Sequence, residues 1–367
     1  MRRPTRVVSL FAAGLACAAF APGWAQPVPT QAPTFSSGVG LVQVPVVVRD
    51  ADDRPVHGLP AEAFDVFEAG RQMTLISVEE VRRDTTEASY VPREVLVVVD
   101  DLNIRPEVMP RAVDAARQLL TRLDPRDRVA FLNTSTQPDL QVDFTTGRAS
   151  LERALSRARG QQLPGLAFGF WQSRRALGVL KSVLDQMRRE AVGHRRPSLV
   201  LFTEGYGIPA AEQSGLVDQD LLLDVREIVG LAAQANVTIH AIDAAGLDIT
   251  RGPFRSTGTR AIGPASRRGS FGVSSSLAAV NDLSALAALA HDTGGRLTRW
   301  NNDLLANLPE MLADADTYYL LTYEMPEFTD RDRRGRLPVV RQLDVRIRRP
   351  DLEVRARQGY VHPRALS

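Results

Sequence analysis

The chain has almost no sulfur chemistry: in 367 residues the single cysteine is Cys17. One thiol closes no internal disulfide and builds no cysteine metal cluster, so the fold must be held by packing, hydrogen bonds and charge. Histidine is nearly as scarce, with His57, His194, His240, His291 and His362 scattered at no metal-ligand spacing. His240 lies in an apolar strand pattern and reads as a core residue, while His291 ends a helix pattern, where a cationic ring suits the dipole. There is no Gly-x-Ser-x-Gly elbow, no His-Glu-x-x-His and no Gly-x-x-x-x-Gly-Lys phosphate loop, so the sequence predicts no enzyme. Charge of one sign is lacking too: 45 basic residues against 43 acidic leave a net +2, too little to draw nucleic acid or an anionic membrane. The local basic run Arg331 to Arg336, with Arg346, Arg348 and Arg349, is interleaved with acids and has no aromatic platform beside it, so nucleic acid is not an expected partner.

What is present starts at the N-terminus. Arg2, Arg3 and Arg6 precede an apolar run from Val7 to Ala21, and small residues at 23 and 25 flank a cleavage point after Ala25. Basic, apolar and small-x-small in that order read as a secretory signal over 1–25, with Sec export to a periplasmic or extracellular location. The run falls short of the about 18 residues of a membrane span, so no span is expected after cleavage. Residues 26–38, rich in Pro, Gln, Thr and Ser, read as a flexible mature N-terminus.

Three segments follow. Over 39–88, the β-branched run at Val42 to Val48, the alternating Phe64-Asp65-Val66-Phe67 and the stretch Met73 to Val78 predict short strands with no helix between them. Over 93–317 the pattern alternates. Val95 to Val99, Leu199 to Phe202 and Val237 to Ile242 are continuous apolar runs, the mark of strands buried on both faces. Helical periodicity separates them at about 108–123, 149–159, 173–190, 221–234, 280–291 and 304–315. A doubly wound, mostly parallel α/β sheet is expected, with a long loop over 246–276. Over 318–367, Leu343, Val345 and Ile347 alternate with polar neighbours, as do Leu352, Val354 and Ala356. Neither β segment is large enough for a core of its own, so the two are expected to join as one sandwich-like module around the inserted α/β domain.

These stretches resemble a known family. Val46-Val47-Val48-Arg49-Asp50, Val97-Val98-Val99-Asp100-Asp101-Leu102-Asn103, Leu199 to Gly205, Val237 to Asp243, Thr293-Gly294-Gly295, Tyr318 to Tyr323 and Arg355 to Tyr360 occur in the order found in von Willebrand factor A-type proteins of the acidobacterial VWFA-related group. The resemblance implies an α/β domain whose sheet edge can hold a divalent cation, Mg²⁺ or else Ca²⁺ or Mn²⁺, contacted by an acidic side chain of a protein partner. Its usual Asp-x-Ser-x-Ser loop is here Asp100-Asp101-Leu102-Asn103-Ile104, with both hydroxyl positions turned to hydrocarbon. The oxygen ligands left are Asp100, Asn103 and Glu204, with Asp101, Thr134, Ser135 and Asp243 near the same edge. The plainer reading of these residues is structural. Asp100 hydrogen-bonds loop amides, Asp101 and Asn103 cap the following helix, Thr134 and Ser135 close a turn, Asp243 caps a loop and Glu204 is solvated. The expected function is an exported, non-enzymatic module for protein–protein binding with a degenerate metal site; the alternative is an envelope structural or assembly component acting through its β module.

Overall fold

The computed structural model describes residues 40–83, 86, 90–137, 141–162, 166–190, 196–206, 219–247, 282–327 and 340–361. The signal sequence, the 26–38 segment, most of the 246–276 loop and the basic run at 331–336 lie outside these residues. Among the described residues, no helix is long and apolar enough to cross a membrane.

Four strands open the chain: β1 (Leu41–Arg49), β2 (Phe64–Glu68), β3 (Arg71–Met73) and β4 (Leu75–Arg82). Six more, β5 (Glu94–Val99), β6 (Arg128–Asn133), β7 (Val142–Thr145), β8 (Ser198–Thr203), β9 (Thr238–Asp243) and β10 (Leu297–Thr298), form one sheet. Its order is β10-β9-β8-β5-β6-β7, parallel throughout except for the antiparallel edge pair β6–β7. Strands β11 (Thr317–Glu324), β12 (Val340–Ile347), β13 (Glu353–Ala356) and β14 (Gly359–Val361) close the chain.

Helices cover both faces of the six-stranded sheet, as strands buried on both sides require. On one face α1 (Met109–Arg122), α2 (Arg148–Arg157) and α6 (Leu308–Asp316) pack on Val95, Val97, Val99, Phe131 and Phe202. On the other, α3 (Leu166–Glu190), α4 (Gln219–Gln234) and α5 (Asp282–His291) pack on Leu96, Val98, Leu199, Leu201 and Ile239. Alternate residues of one apolar run thus serve opposite cores. The turn after α5 brings backbone against backbone: a Cβ on Gly295 would meet the Ile239 carbonyl oxygen at 2.0 Å. Only glycine fits there.

The terminal strands interleave. Strand β1 is hydrogen-bonded between β11 and β13, and β4 joins on the far side of β11. The second sheet runs β14-β12-β2-β3. Between the two lies an apolar layer that includes Val44, Val46, Phe64, Val66, Tyr319, Leu321, Tyr323 and Leu343. Within it the buried Glu68 carboxylate accepts from the Tyr323 and Tyr360 hydroxyls at 2.7 and 2.9 Å and from Arg341 at 2.9 Å.

Several boundaries differ from the sequence reading. Helix α3 begins at Leu166 rather than near Ser173, because Gly169 in the Leu-Ala-Phe-Gly-Phe-Trp stretch is carried within a helix. Helix α1, expected at about 108–123, runs from Met109 with Pro110 in its first turn, after turns in which the Val108 and Met109 amides donate to the Arg105 carbonyl. Strand β10, Leu297–Thr298, and strand β14, Gly359-Tyr360-Val361, are too short for any periodicity to announce them.

Candidate functional site

The chain runs up β5, crosses at α1 to β6, and later returns on the other side of β5 as β8. The order of the parallel strands therefore reverses between β5 and β8, and the crevice beyond their C-terminal ends is where open α/β sheets bind ligands. Asp100 and Asp101 follow β5 directly, Thr134 and Ser135 follow β6, and Thr203 and Glu204 stand at the end of β8.

Asp100 is completely buried. Its Oδ1 accepts from Thr134 Oγ1 at 2.7 Å and Asn103 Nδ2 at 3.0 Å; its Oδ2 accepts from Thr203 Oγ1 at 2.8 Å and Asn103 Nδ2 at 2.9 Å. All these donors are neutral. Burial pushes the Asp100 carboxyl up to about 6, against the downward pull of Thr134, Thr203 and Asn103, and the adjacent Asp101 charge adds to the rise. Asp101, also buried, accepts from the Ser135 amide at 2.8 Å and hydroxyl at 2.6 Å, from Asn133 Nδ2 at 2.9 Å and from Gln161 Nε2 at 2.9 Å. The Thr134 hydroxyl also lies 3.1 Å from Asp101 Oδ1. Its single proton serves one carboxylate at a time, while its oxygen accepts the Leu102 amide.

The network reaches outward through α3. Ser173 Oγ donates to Asn103 Oδ1 at 3.1 Å, and Gln172 Nε2 donates to the Gln161 carbonyl at 2.7 Å. Both side chains are buried and fix the start of this helix against the crevice. The preceding residue, Trp171, is left 57% exposed. Arg175, one turn on, lies over the Trp171 ring at 5.5 Å and donates to the Ser135 carbonyl at 3.2 Å. Gly160 completes the packing: a Cβ there would meet the Ile104 carbonyl oxygen at 2.6 Å.

The structure brings Asp100, Asp101, Asn103, Thr134 and Ser135 into one hydrogen-bonded cluster. Asp101 and Asn103 do not cap α1, and Thr134 and Ser135 serve carboxylates rather than a turn alone. Glu204 is buried and faces Arg105, accepting from its amide at 2.7 Å, its Nε at 2.9 Å and its Nη2 at 2.7 Å. It is therefore an anchor for the loop after β5. Asp243 accepts the Ala245 amide at 3.0 Å and caps the loop after β9. Thr203, Asn133, Gln161, Ser173 and Arg105 join the cluster without having been picked out in the sequence. Thr203, directly preceding Glu204, was the one a reading of strand ends alone could have added. Tyr206 is fully buried nearby, its hydroxyl without a hydrogen-bond partner among the described residues, and burial together with the Asp100 charge raises it well above the ordinary tyrosine value.

Among the described residues, no three His, Cys, Asp or Glu side chains gather as a metal cage. The oxygens that do gather are two carboxylates with the hydroxyls of Thr134, Ser135 and Thr203, hard donors of the kind Mg²⁺, Mn²⁺ and Ca²⁺ take. Leu102 and Ile104 add only buried hydrocarbon.

No family model and no curated protein matches the chain. Among solved structures, an aerotolerance-related membrane protein from Bacteroides fragilis is similar at 12% identity and a TM-score of 0.35, over 61% of this chain and 98% of that one. The pilus adhesin SpaC from Lactobacillus rhamnosus GG is similar at 9% identity and a TM-score of 0.39, over 82% of this chain and 48% of that one. Human COPII-coat protein Sec24c is similar at 9% identity and a TM-score of 0.30, over 77% and 46%. At these values the likenesses assign neither family nor activity, and the chain stands as a mixed α/β fold with a six-stranded, mostly parallel sheet and two antiparallel sheets.

Proposed function

We propose that this chain is a non-enzymatic, exported binding module of the von Willebrand factor A type, presenting the C-terminal edge of its central sheet to a protein partner. The observation that carries the reading is Trp171 held outward beside the Asp101 network. A large aromatic side chain kept in water, with Arg175 fixed alongside it by the Ser135 carbonyl, costs solvation in the free protein and is what a protein interface uses as an anchor. The groups behind it hydrogen-bond one another: the hydroxyls of Thr134, Ser135 and Thr203 all face carboxylates, and among the described residues no histidine hydrogen-bonds to them as a base.

A divalent cation is the finer part of this reading. Asp100 and Asp101 would hold it with Thr134 and Ser135, supplying the positive charge that two adjacent buried carboxylates otherwise lack. Calorimetric titration of Mg²⁺, Mn²⁺ and Ca²⁺ into the protein tests that part; no heat at millimolar metal removes it and leaves the docking edge standing. The edge itself is tested by capture from an envelope extract with wild type and with a Trp171→Ala, Arg175→Ala double variant. Partners lost in the variant support the edge. Partners kept by the variant would overturn it and favour an envelope assembly role through the β module.

A further inference from the structure

The opposite end of the central sheet holds a cavity that the docking edge does not use. Strands β5 and β8 begin there at Glu94 and Ser198, about 20 Å along the strands from Asp100. A space of about 310 Å³ opens between these strand starts, the end of β4, the end of α6 and the beginning of β11. That volume is at the small end of the roughly 300–1,000 Å³ typical of small-molecule sites. Val81, Val91, Pro92, Pro197, Ala315 and Tyr318 make its wall largely apolar.

Four arginines also line it, and they differ; Arg82 is mostly exposed and meets Glu80 at 3.6 Å. Arg83 and Arg93 are both held by the Asp316 carboxylate, at 2.6 and 2.7 Å, and Arg93 also meets Asp127 at 2.8 Å. Their charge is spent. Arg196 is placed otherwise. Its nearest acid, Asp314, already takes Arg49, Arg296 at 2.7 Å and Arg355 at 3.1 Å. To Arg196 it offers only its backbone carbonyl, at 3.3 Å. The Arg196 guanidinium lies over the Tyr318 ring at 5.1 Å, and among the described residues its buried Nε–H has no hydrogen-bond partner. A buried donor left unpaired on a permanent cation is costly, and a ligand that pairs it relieves that cost.

We propose that this cavity binds a small amphipathic carboxylate, its apolar body against Tyr318, Val81 and Pro197 and its carboxylate paired with Arg196. One guanidinium without a carboxylate of its own suits one negative charge; a phosphate dianion would need a second, and Arg83 and Arg93 are held by Asp316 while Arg82 meets Glu80. A planar guanidinium also matches a carboxylate geometrically. Because the wall is shared between the parallel sheet and the antiparallel sheet of β4 and β11, an occupant braces the joint between them.

Octanoate and benzoate serve as probes on the full chain, with octanol as the uncharged control, read by calorimetry and by thermal shift. Saturable binding of at least one acid is expected, with octanol at least about tenfold weaker. Arg196→Gln should weaken the acid about tenfold and leave octanol unchanged, while Ala315→Leu, which fills the cavity and keeps the charge, should weaken both. Should Arg196→Gln fail to fold, Ala315→Leu decides alone. No saturable binding of either acid by the wild type overturns the proposal, as does wild-type acid binding by Ala315→Leu or by a folded Arg196→Gln. Neither result touches the docking edge, which a different set of variants tests.

Discussion

Two buried aspartates answer the same problem in opposite ways. Asp314, on α6, is ringed by cations: Arg49, Arg296 and Arg355 all bind its carboxylate. Burial raises its affinity for a proton, yet Arg296, Arg49 and Arg355 together more than offset this and hold the group below the usual carboxylate range. Asp100, at the switch point, is surrounded only by hydroxyls and an amide, and burial holds it near 6. Its charge is solvated but not neutralised. Asp314 is a strut between β1, β13 and the α/β core. Asp100 sits where a ligand would bind and keeps an electrostatic demand that a proton or a cation can satisfy.

The contrast is open to attack at several scales. Deleting residues 340–367 removes β12, the strand between β2 and β14, and β13, the partner of β1. The N-terminal strands should then lose cooperative folding outright, visible as early exchange of amides in 41–82 while β5 and β8 stay protected; a truncated chain with the full Tm would sink the shared-module description. Next in size, Asp314→Ala leaves three arginines in a buried site without their acid and should cost about 3–5 kcal/mol in urea unfolding. A loss below about 1 kcal/mol would mean that the strut carries little.

Asp100→Asn should act in the other direction. At pH 7 without divalent metal it removes a buried charge that no cation balances, and the variant should be more stable than wild type. The sign follows from linkage. The folded-state value of about 6 lies above the ordinary 3.8, so the contribution is fully present below about pH 4 and is lost as pH rises through 6. Two units correspond to roughly 3 kcal/mol at most. The advantage of Asp100→Asn should therefore grow between pH 4 and 6 and level off above, and Asp292, raised to about 6 by burial, remains as a common background in both proteins. A flat difference across that window would show that Asp100 is compensated in solution. Smallest of all, Trp171→Ala should change stability by less than about 0.5 kcal/mol, since the ring is mostly in water, while it weakens partner capture.

The same contrast explains what could be read in advance. Val95 to Val99 and Leu199 to Phe202 announce strands buried on both faces, while the resemblance to A-type sheets, rather than the order of elements, set Asp100 and Glu204 at one edge. The donors that complete the site are another matter. Thr203 lies 103 residues from Asp100 and Ser173 lies 70 from Asn103, separations across which no periodicity speaks. Glu204 reads as a ligand because it ends a strand; only the three-dimensional path of the loop after β5 brings Arg105 to it. The Asp314 strut was invisible for a related reason. An aspartate in a short helix reads as solvated, and its arginines come from three distant segments.

The pairing of β1 also sets an order of events. Val46 pairs with Tyr319 on one side and with Ala356 on the other, so its partners are made long after it. The parallel sheet needs nothing beyond Thr298 to form its strands. A chain that emerges N-terminus first can assemble its central sheet while β1 waits, and the β module closes last. Strand β1 is thus fastened late, a long-range closure that waits for both β11 and β13.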